Sequence, residues 1–281
     1  MRIRPRTVAI HLIAYSVAVL WTIPFLGVFM TAIRPTSEVI RGWWNLDPFT
    51  LGLDNFARVL FNPLFPLITG LGSSAIIAIT ATLLPLGVGA LAAYGFARFR
   101  FPLRDYMFLA IVLVMAVPTM MVIIPMFQIL ANLKLLNSYL GLILVHTAWG
   151  LPWIILFLRN FFGTLPVEIE EAARVDGASD FKVFYRVVLP MALPALASVF
   201  VLQFMWVWSD FFFALILVGG GNPDLWTATL QLPFASFAGQ FHNDWGLLSA
   251  GSLLIMLVPI GIYVVLQKYY IRGMIGWTLK G

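Results

Sequence analysis

The chain of 281 residues contains no cysteine. Disulfides, thiolate metal sites and cysteine nucleophiles are therefore excluded. Charge is scarce: Asp, Glu, Lys and Arg make up 10% of the residues, against about 25% in a soluble domain. The three histidines, His11, His146 and His242, are too scattered and too far from carboxylates to form a metal site. There is no G-x-x-x-x-G-K-[ST] loop, so the chain cannot itself hold and hydrolyse ATP in the usual way. A Gly-x-Ser-x-Gly elbow is missing too. Nor does the net charge of +5 point to nucleic acid, because no basic patch interleaved with aromatics stands in a soluble context.

What is present is hydrocarbon. Hydrophobic residues make up 61%, and the mean hydropathy is +0.95. The length allows about six helices of ~20 residues. Apolar runs fall at about Val8–Ile33, Leu67–Phe96, a third ending near Leu130, Tyr139–Phe162, Met191–Val218 and Gly246–Ile271. Arg2, Arg4 and Arg6 precede the first run like the basic start of a signal peptide. The run is too long for one, so it reads as a retained first helix. Pro24, Pro85, Pro118, Pro125, Pro152 and Pro259 lie well inside these runs and predict kinks. The expected fold is therefore all-α and integral to the membrane, with six transmembrane helices in contact with membrane lipid.

Orientation follows from charge. With both termini in the cytoplasm, only Arg34, Arg41, Arg58 and Lys134 of the 17 Lys and Arg residues fall outside. Such a bias sets topology by the positive-inside rule.

One stretch does not belong in hydrocarbon. Leu165 to Pro194 carries Glu168, Glu170, Glu171, Asp176, Asp180, Lys182 and Arg186, each costing roughly 2.5–3.5 kcal/mol at a helix centre in the membrane. It must lie in water between the fourth and fifth spans. Its pattern predicts two short helices: Thr164 capping the first, Pro166 near its start, a break at Asp176-Gly177, Ser179 capping the second and Leu189-Pro190 stopping it. Phe181, Phe184 and Val188 share one face of the second helix, and Lys182 and Arg186 another.

Glu171-Ala172-Ala173-x-x-Asp176-Gly177-Ala178, with Phe184 and Leu189-Pro190-x-x-x-Pro194, resembles the EAA loop of ABC-importer permeases. The Arg98-Phe99-Arg100-Phe101-Pro102-Leu103-Arg104 turn and the tail from Gln267 to Gly273 and on to Lys280-Gly281 narrow this to the maltose-type carbohydrate importers, and there to the shorter of the two permeases. The resemblance implies a first helix and extracytoplasmic connection over 1–66. A permease core then spans 67–281, with the coupling loop at 163–190. It implies as partners a second permease subunit, two ATPase subunits that hold ATP and Mg²⁺, and an extracytoplasmic solute-binding protein, all at the bacterial inner membrane. Under it Glu171 meets a basic residue of the ATPase, while Ala172, Ala173 and Ala178 allow close approach. The face with Phe181 and Phe184 fills the apolar part of the groove, and Leu279, Lys280 and Gly281 can reach the ATPase dimer interface.

Asp210 is the outstanding polar residue within a span, and an intramembrane carboxylate marks a functional site by default. Carbohydrate permeases similarly place a Trp-Asn-acid-aromatic stretch here, although this chain has Ser209 where asparagine is usual. Trp206 and Trp208 can stack on a sugar ring, with Asp210 or Gln203 accepting hydroxyl protons. The alternative role for these residues is inter-helix packing. A carboxylate there also leaves open an ion-gradient-driven secondary transporter.

Overall fold

The computed structural model describes residues 5–237 and 244–278. His242, Leu279, Lys280 and Gly281 lie outside them. Among the described residues there is no strand.

Four helices among the described residues are long and apolar enough to cross a membrane: α1 (Pro5–Ala32), α4 (Leu67–Arg98), α7 (Tyr139–Gly163) and α14 (Trp245–Thr278). Between α1 and α4 lie the short helices α2 (Thr36–Val39) and α3 (Asp54–Leu60). The third apolar run is split into α5 (Arg104–Val114) and α6 (Thr119–Asn132), bent by 99° at the break. Pro118 sits at that break, where its ring and missing N–H oppose a continuous helix.

After α7 come α8 (Val167–Val175) and α9 (Asp180–Val183), which runs into a π-helical turn over Phe184–Val188 and a last short turn, α10 (Leu189–Met191). Leu189-Pro190 therefore does not stop the helix. Pro190 cannot donate to the carbonyl of Arg186, and the ladder before it widens to the π register instead. The chain then bends by 76° into α11 (Leu193–Trp208). The fifth run breaks again at Ser209–Phe211, followed by α12 (Phe212–Leu217), a 3₁₀ turn at Pro223–Leu225 and α13 (Ala228–Phe237). Counting each bent pair as one crossing gives six spans.

The described residues form two compact units. One takes residues up to Ile68 with Gln231–Leu257, and the other Thr69–Leu230 with residues from Val258 on. In the first, the connection after α1 is organised by Arg34, only 1% exposed. Its guanidinium donates to Glu38 (3.2 Å), the Trp43 carbonyl (3.3 Å) and the Pro48 carbonyl (2.9 Å). Nearby Asp244 accepts from Thr36 (2.8 Å) and the Leu247 N–H (3.0 Å) and pairs with Arg58. In the second unit, α4, α7 and the α9–α11 stretch share a core of Ala90, Tyr94, Leu158, Phe162, Val183, Phe184, Val188 and Val199.

Candidate functional site

The charged loop between α7 and α11 is a folded object. Helix α8 ends in a Schellman motif: Ala178 N–H donates to the Ala173 carbonyl, and Gly177 N–H to the Arg174 carbonyl, both at 3.0 Å. Gly177 occupies the left-handed position with φ +82°. Ala173 and Ala178, the pair such a motif brings together, pack against the core rather than standing free. Thr164 and Ser179 do not cap. The Thr164 hydroxyl donates back to Phe161 O (2.7 Å), and α9 has no side-chain cap.

Glu170 anchors the pair to α4. It is 1% exposed, accepting from Arg98 Nε on Oε1 (2.7 Å) and from the Tyr94 hydroxyl on Oε2 (3.0 Å). Arg98 also donates to the Leu165 carbonyl (3.1 Å). Arg174 lies 3.6 Å from Glu170 and bonds Asp180 across the turn at 2.8 Å. The hydrogen bond to Asp180, ahead of every other influence, holds the Arg174 guanidinium above its ordinary pKa. Two helices, one turn and the end of α4 are thus joined by one polar network. Periodicity does not single out Glu170, because three glutamates within four residues read as solubility.

The outer face of the loop is apolar with an acidic edge. Val175 is 87% exposed, Phe181 70% and Tyr185 64%, while Glu171, Ala172, Asp176, Gly177, Lys182, Arg186 and Pro190 are also exposed and Leu189 is half-buried. Phe184 is a correction. It is 5% exposed and packs on Tyr94 with ring centroids 5.0 Å apart, so it cannot fill a partner's groove. The helix is apolar on two sides, and the Phe184–Val188 side went to its own core.

The polar residues of the fifth run are also corrected. Asp210 is no bare carboxylate: its oxygens accept from the N–H groups of Phe213 (3.2 Å) and Ala214 (3.0 Å), capping α12. His146 Nε2 lies 3.5 Å from Asp210 Oδ2 and makes no hydrogen bond. Gln203, buried, donates to the carbonyls of Ala81 (3.2 Å) and His146 (3.4 Å) and accepts from Trp153 Nε1 (2.9 Å). A Cβ on Gly150 would sit 2.6 Å from the Gln203 amide, so that approach requires glycine. Trp208 is buried and stacked on Phe204 at 5.5 Å. Of the four, Trp206 alone faces open space, at 52% exposure. It lines a cavity of about 300 Å³ with Trp149, Trp153 and the α5–α6 break.

Known proteins agree with this architecture. Residues 85–276 match the model of the binding-protein-dependent transport system inner membrane component family. A probable ABC transporter permease protein of Pyrococcus horikoshii is 51% identical over all of both chains. The alpha-glucoside transport system permease of Rhizobium meliloti is 35% identical, over 82% of this chain and 60% of its own length. A crystal structure of a bacterial ABC transporter involved in the import of the acidic polysaccharide alginate superposes with a TM-score of 0.80 at 23% identity, covering 96% of this chain and all of that one. The chain belongs to the family of binding-protein-dependent inner membrane components, the multi-pass permeases of ABC importers.

Proposed function

We propose that this permease imports carbohydrate across the bacterial inner membrane, with both termini cytoplasmic and six spans. On this reading its core, 67–281, pairs with a second permease subunit. Two ATPase subunits supply the energy through ATP and Mg²⁺ bound on themselves, and an extracytoplasmic solute-binding protein delivers the cargo. The α8–α10 stretch docks on one ATPase: Glu171 meets a basic side chain, and Val175, Phe181 and Tyr185 enter the apolar part of its groove, where buried aromatics dominate binding energy. Glu170, Arg98 and Arg174 make the loop move together with α4, so that groove closure becomes movement of a span.

The observation that carries this reading is an exposed apolar and acidic face on a helix pair braced from behind by a buried ion pair. Sugar as cargo draws support from the α-glucoside and alginate transporters to which the chain is similar. An ion-gradient carrier is not favoured, because the Asp210 carboxylate is occupied by two backbone N–H groups. The test is purification of the tagged chain from its native membranes with an assay of the eluate for ATP hydrolysis. Co-purification of an ATPase and a second permease, with the ATPase lost on Glu171→Arg, is expected. A chain that purifies alone, with uptake that collapses on adding an ionophore, would overturn the reading.

A further inference from the structure

Arg98, Arg100 and Arg104 fall within seven residues at the turn between α4 and α5. Guanidinium groups are costly in hydrocarbon, so this turn marks an edge of the membrane. Arg98 is committed to Glu170. The other two line an open cleft of about 410 Å³, completed by Phe101, Leu103, Asp105 and Tyr106. Ligand pockets commonly hold about 300–1,000 Å³.

The cleft has cationic donors to spare. Arg100 is exposed and, among the described residues, its side chain makes no hydrogen bond or ion pair. Arg104 donates from Nε to Asp105 (3.0 Å) and from Nη1 to the Phe99 carbonyl (3.4 Å). A guanidinium carries five N–H donors, so both arginines keep some for the cleft. Behind it, Phe96 lies 5.6 Å from Phe101 and 5.7 Å from Phe108, centroid to centroid. Arg159 of α7 stands 4.4 Å over the Phe108 ring, with no carboxylate partner among the described residues, and adds to the positive field. Beside the arginines the surface is apolar. None of the eleven residues of α5 is buried. Tyr106, Leu109 and Leu113, at i, i+3 and i+7, are all exposed on one face. Their stripe starts at the cleft and runs roughly 10 Å along the helix.

We infer that this cleft holds the headgroup of an anionic phospholipid, with an acyl chain laid along the α5 stripe. A phosphodiester suits the guanidinium forks, which present paired N–H donors to phosphate oxygens. Arg100, Arg104 and Arg159 outnumber Asp105, the one carboxylate at the cleft, and so favour a headgroup with net negative charge over a zwitterionic one. A soluble phosphate would use the arginines but leave the stripe uncovered. On the proposed topology the lipid belongs to the inner leaflet. The site also adjoins the brace of the coupling loop. Phe99, whose carbonyl Arg104 holds, packs edge-on to Tyr94 at 5.7 Å, and Tyr94 donates to Glu170. A bound headgroup therefore steadies the turn beside the residues that anchor α8. None of this rests on carbohydrate being the cargo.

The test takes the tagged full chain, with all that co-purifies from its native membranes, in mild detergent. The probe is phosphatidylglycerol with a photoactivatable diazirine in one acyl chain, and cross-linked peptides are identified by mass. Cross-links should concentrate on Tyr106–Leu113. Excess unlabelled phosphatidylglycerol should abolish them, whereas phosphatidylcholine and soluble glycerol phosphate should not. Arg100→Gln, at an exposed side chain whose loss leaves no partner behind, should lower the labelling about fivefold. Arg41→Gln, an exposed arginine in the other compact unit, should leave it unchanged. Even labelling of α1, α5 and α14, or equal competition by phosphatidylcholine, would reduce the site to ordinary boundary lipid and overturn the inference. So would labelling that survives Arg100→Gln. Competition by glycerol phosphate would make the cleft a soluble-anion site and overturn the lipid. Labelling of α5 in the isolated chain that vanishes in the complex would make the stripe a subunit interface, with the same consequence.

Discussion

Glu170 and Glu171 are neighbours in sequence, yet one is enclosed by Arg98 and Tyr94 while the other faces water. Their substitutions should therefore part company. Glu170→Ala leaves Arg98, whose side chain is 9% exposed, without its partner carboxylate, a loss of about 3–5 kcal/mol for a buried pair. A clear fall in Tm in detergent is expected. Glu171→Ala should change stability by no more than about 0.5 kcal/mol while impairing ATPase association. Equal melting of the two variants would remove the distinction drawn between them. Gly177 offers a second contrast. An added Cβ meets no atom within 4 Å, so only the backbone matters. Gly177→Asn, tolerant of the left-handed region, should transport normally. Gly177→Val, facing roughly 1–2 kcal/mol of strain, should reach the membrane but not transport. Equal uptake by both would show that the turn has no role in coupling.

The short elements between α1 and α4 depend on carboxylates that are easier to ionise than usual. Glu38 is held below its ordinary pKa by hydrogen bonding from Thr50 and then by Arg34. Burial pushes the Asp244 carboxyl up, but the Leu247 N–H, the Thr36 hydroxyl and Arg58 outweigh it and hold it low. A carboxyl whose pKa is depressed on folding stabilises fully above its unfolded value, about 4, and loses that contribution as pH falls through the folded value. Hydrogen-exchange protection of residues 33–60 should accordingly weaken below about pH 4. In Asp244→Asn the step should shrink, and a step of undiminished size in the double variant with Glu38→Gln would assign it to other groups. How far such elements can be read from sequence depends on what marks them. The ends of α4 and α7 fall within two residues of the apolar runs, because a run that long admits one structure in lipid. The breaks at Met115–Val117 and Ser209–Phe211 lie inside equally apolar sequence, where only Pro118 hinted at the first. Phe184 misled for a different reason: a helix held between its own core and a partner is apolar on two faces, and periodicity does not say which is which. Trp149 and Trp153 are legible as a pair, two tryptophans four apart flanking Gly150 and Pro152 on a predicted span.

At the scale of the whole chain, the number of crossings turns on the two bent pairs. If each pair is a single kinked span there are six crossings, and if each is re-entrant there are four. Both counts leave the two termini on the same side, so labelling the ends decides nothing. The loop after α7 decides the first pair, because it follows α5–α6 and precedes the second pair. With six crossings Val175 is on the side of the amino terminus, and with four it is on the opposite side. Leu133, between α6 and α7, switches sides in the opposite sense. Single cysteines at Val175 (87% exposed) and Leu133 (60% exposed) in this cysteine-free chain can be probed in right-side-out vesicles with an impermeant maleimide. The loop carries Arg174, Lys182 and Arg186, and the α6–α7 connection only Lys134. Charge therefore puts the loop in the cytoplasm and the connection outside. Leu133→Cys should react in intact vesicles, and Val175→Cys only after permeabilisation. The reverse pattern would make the α5–α6 pair re-entrant and leave the coupling face with no access to a cytoplasmic ATPase.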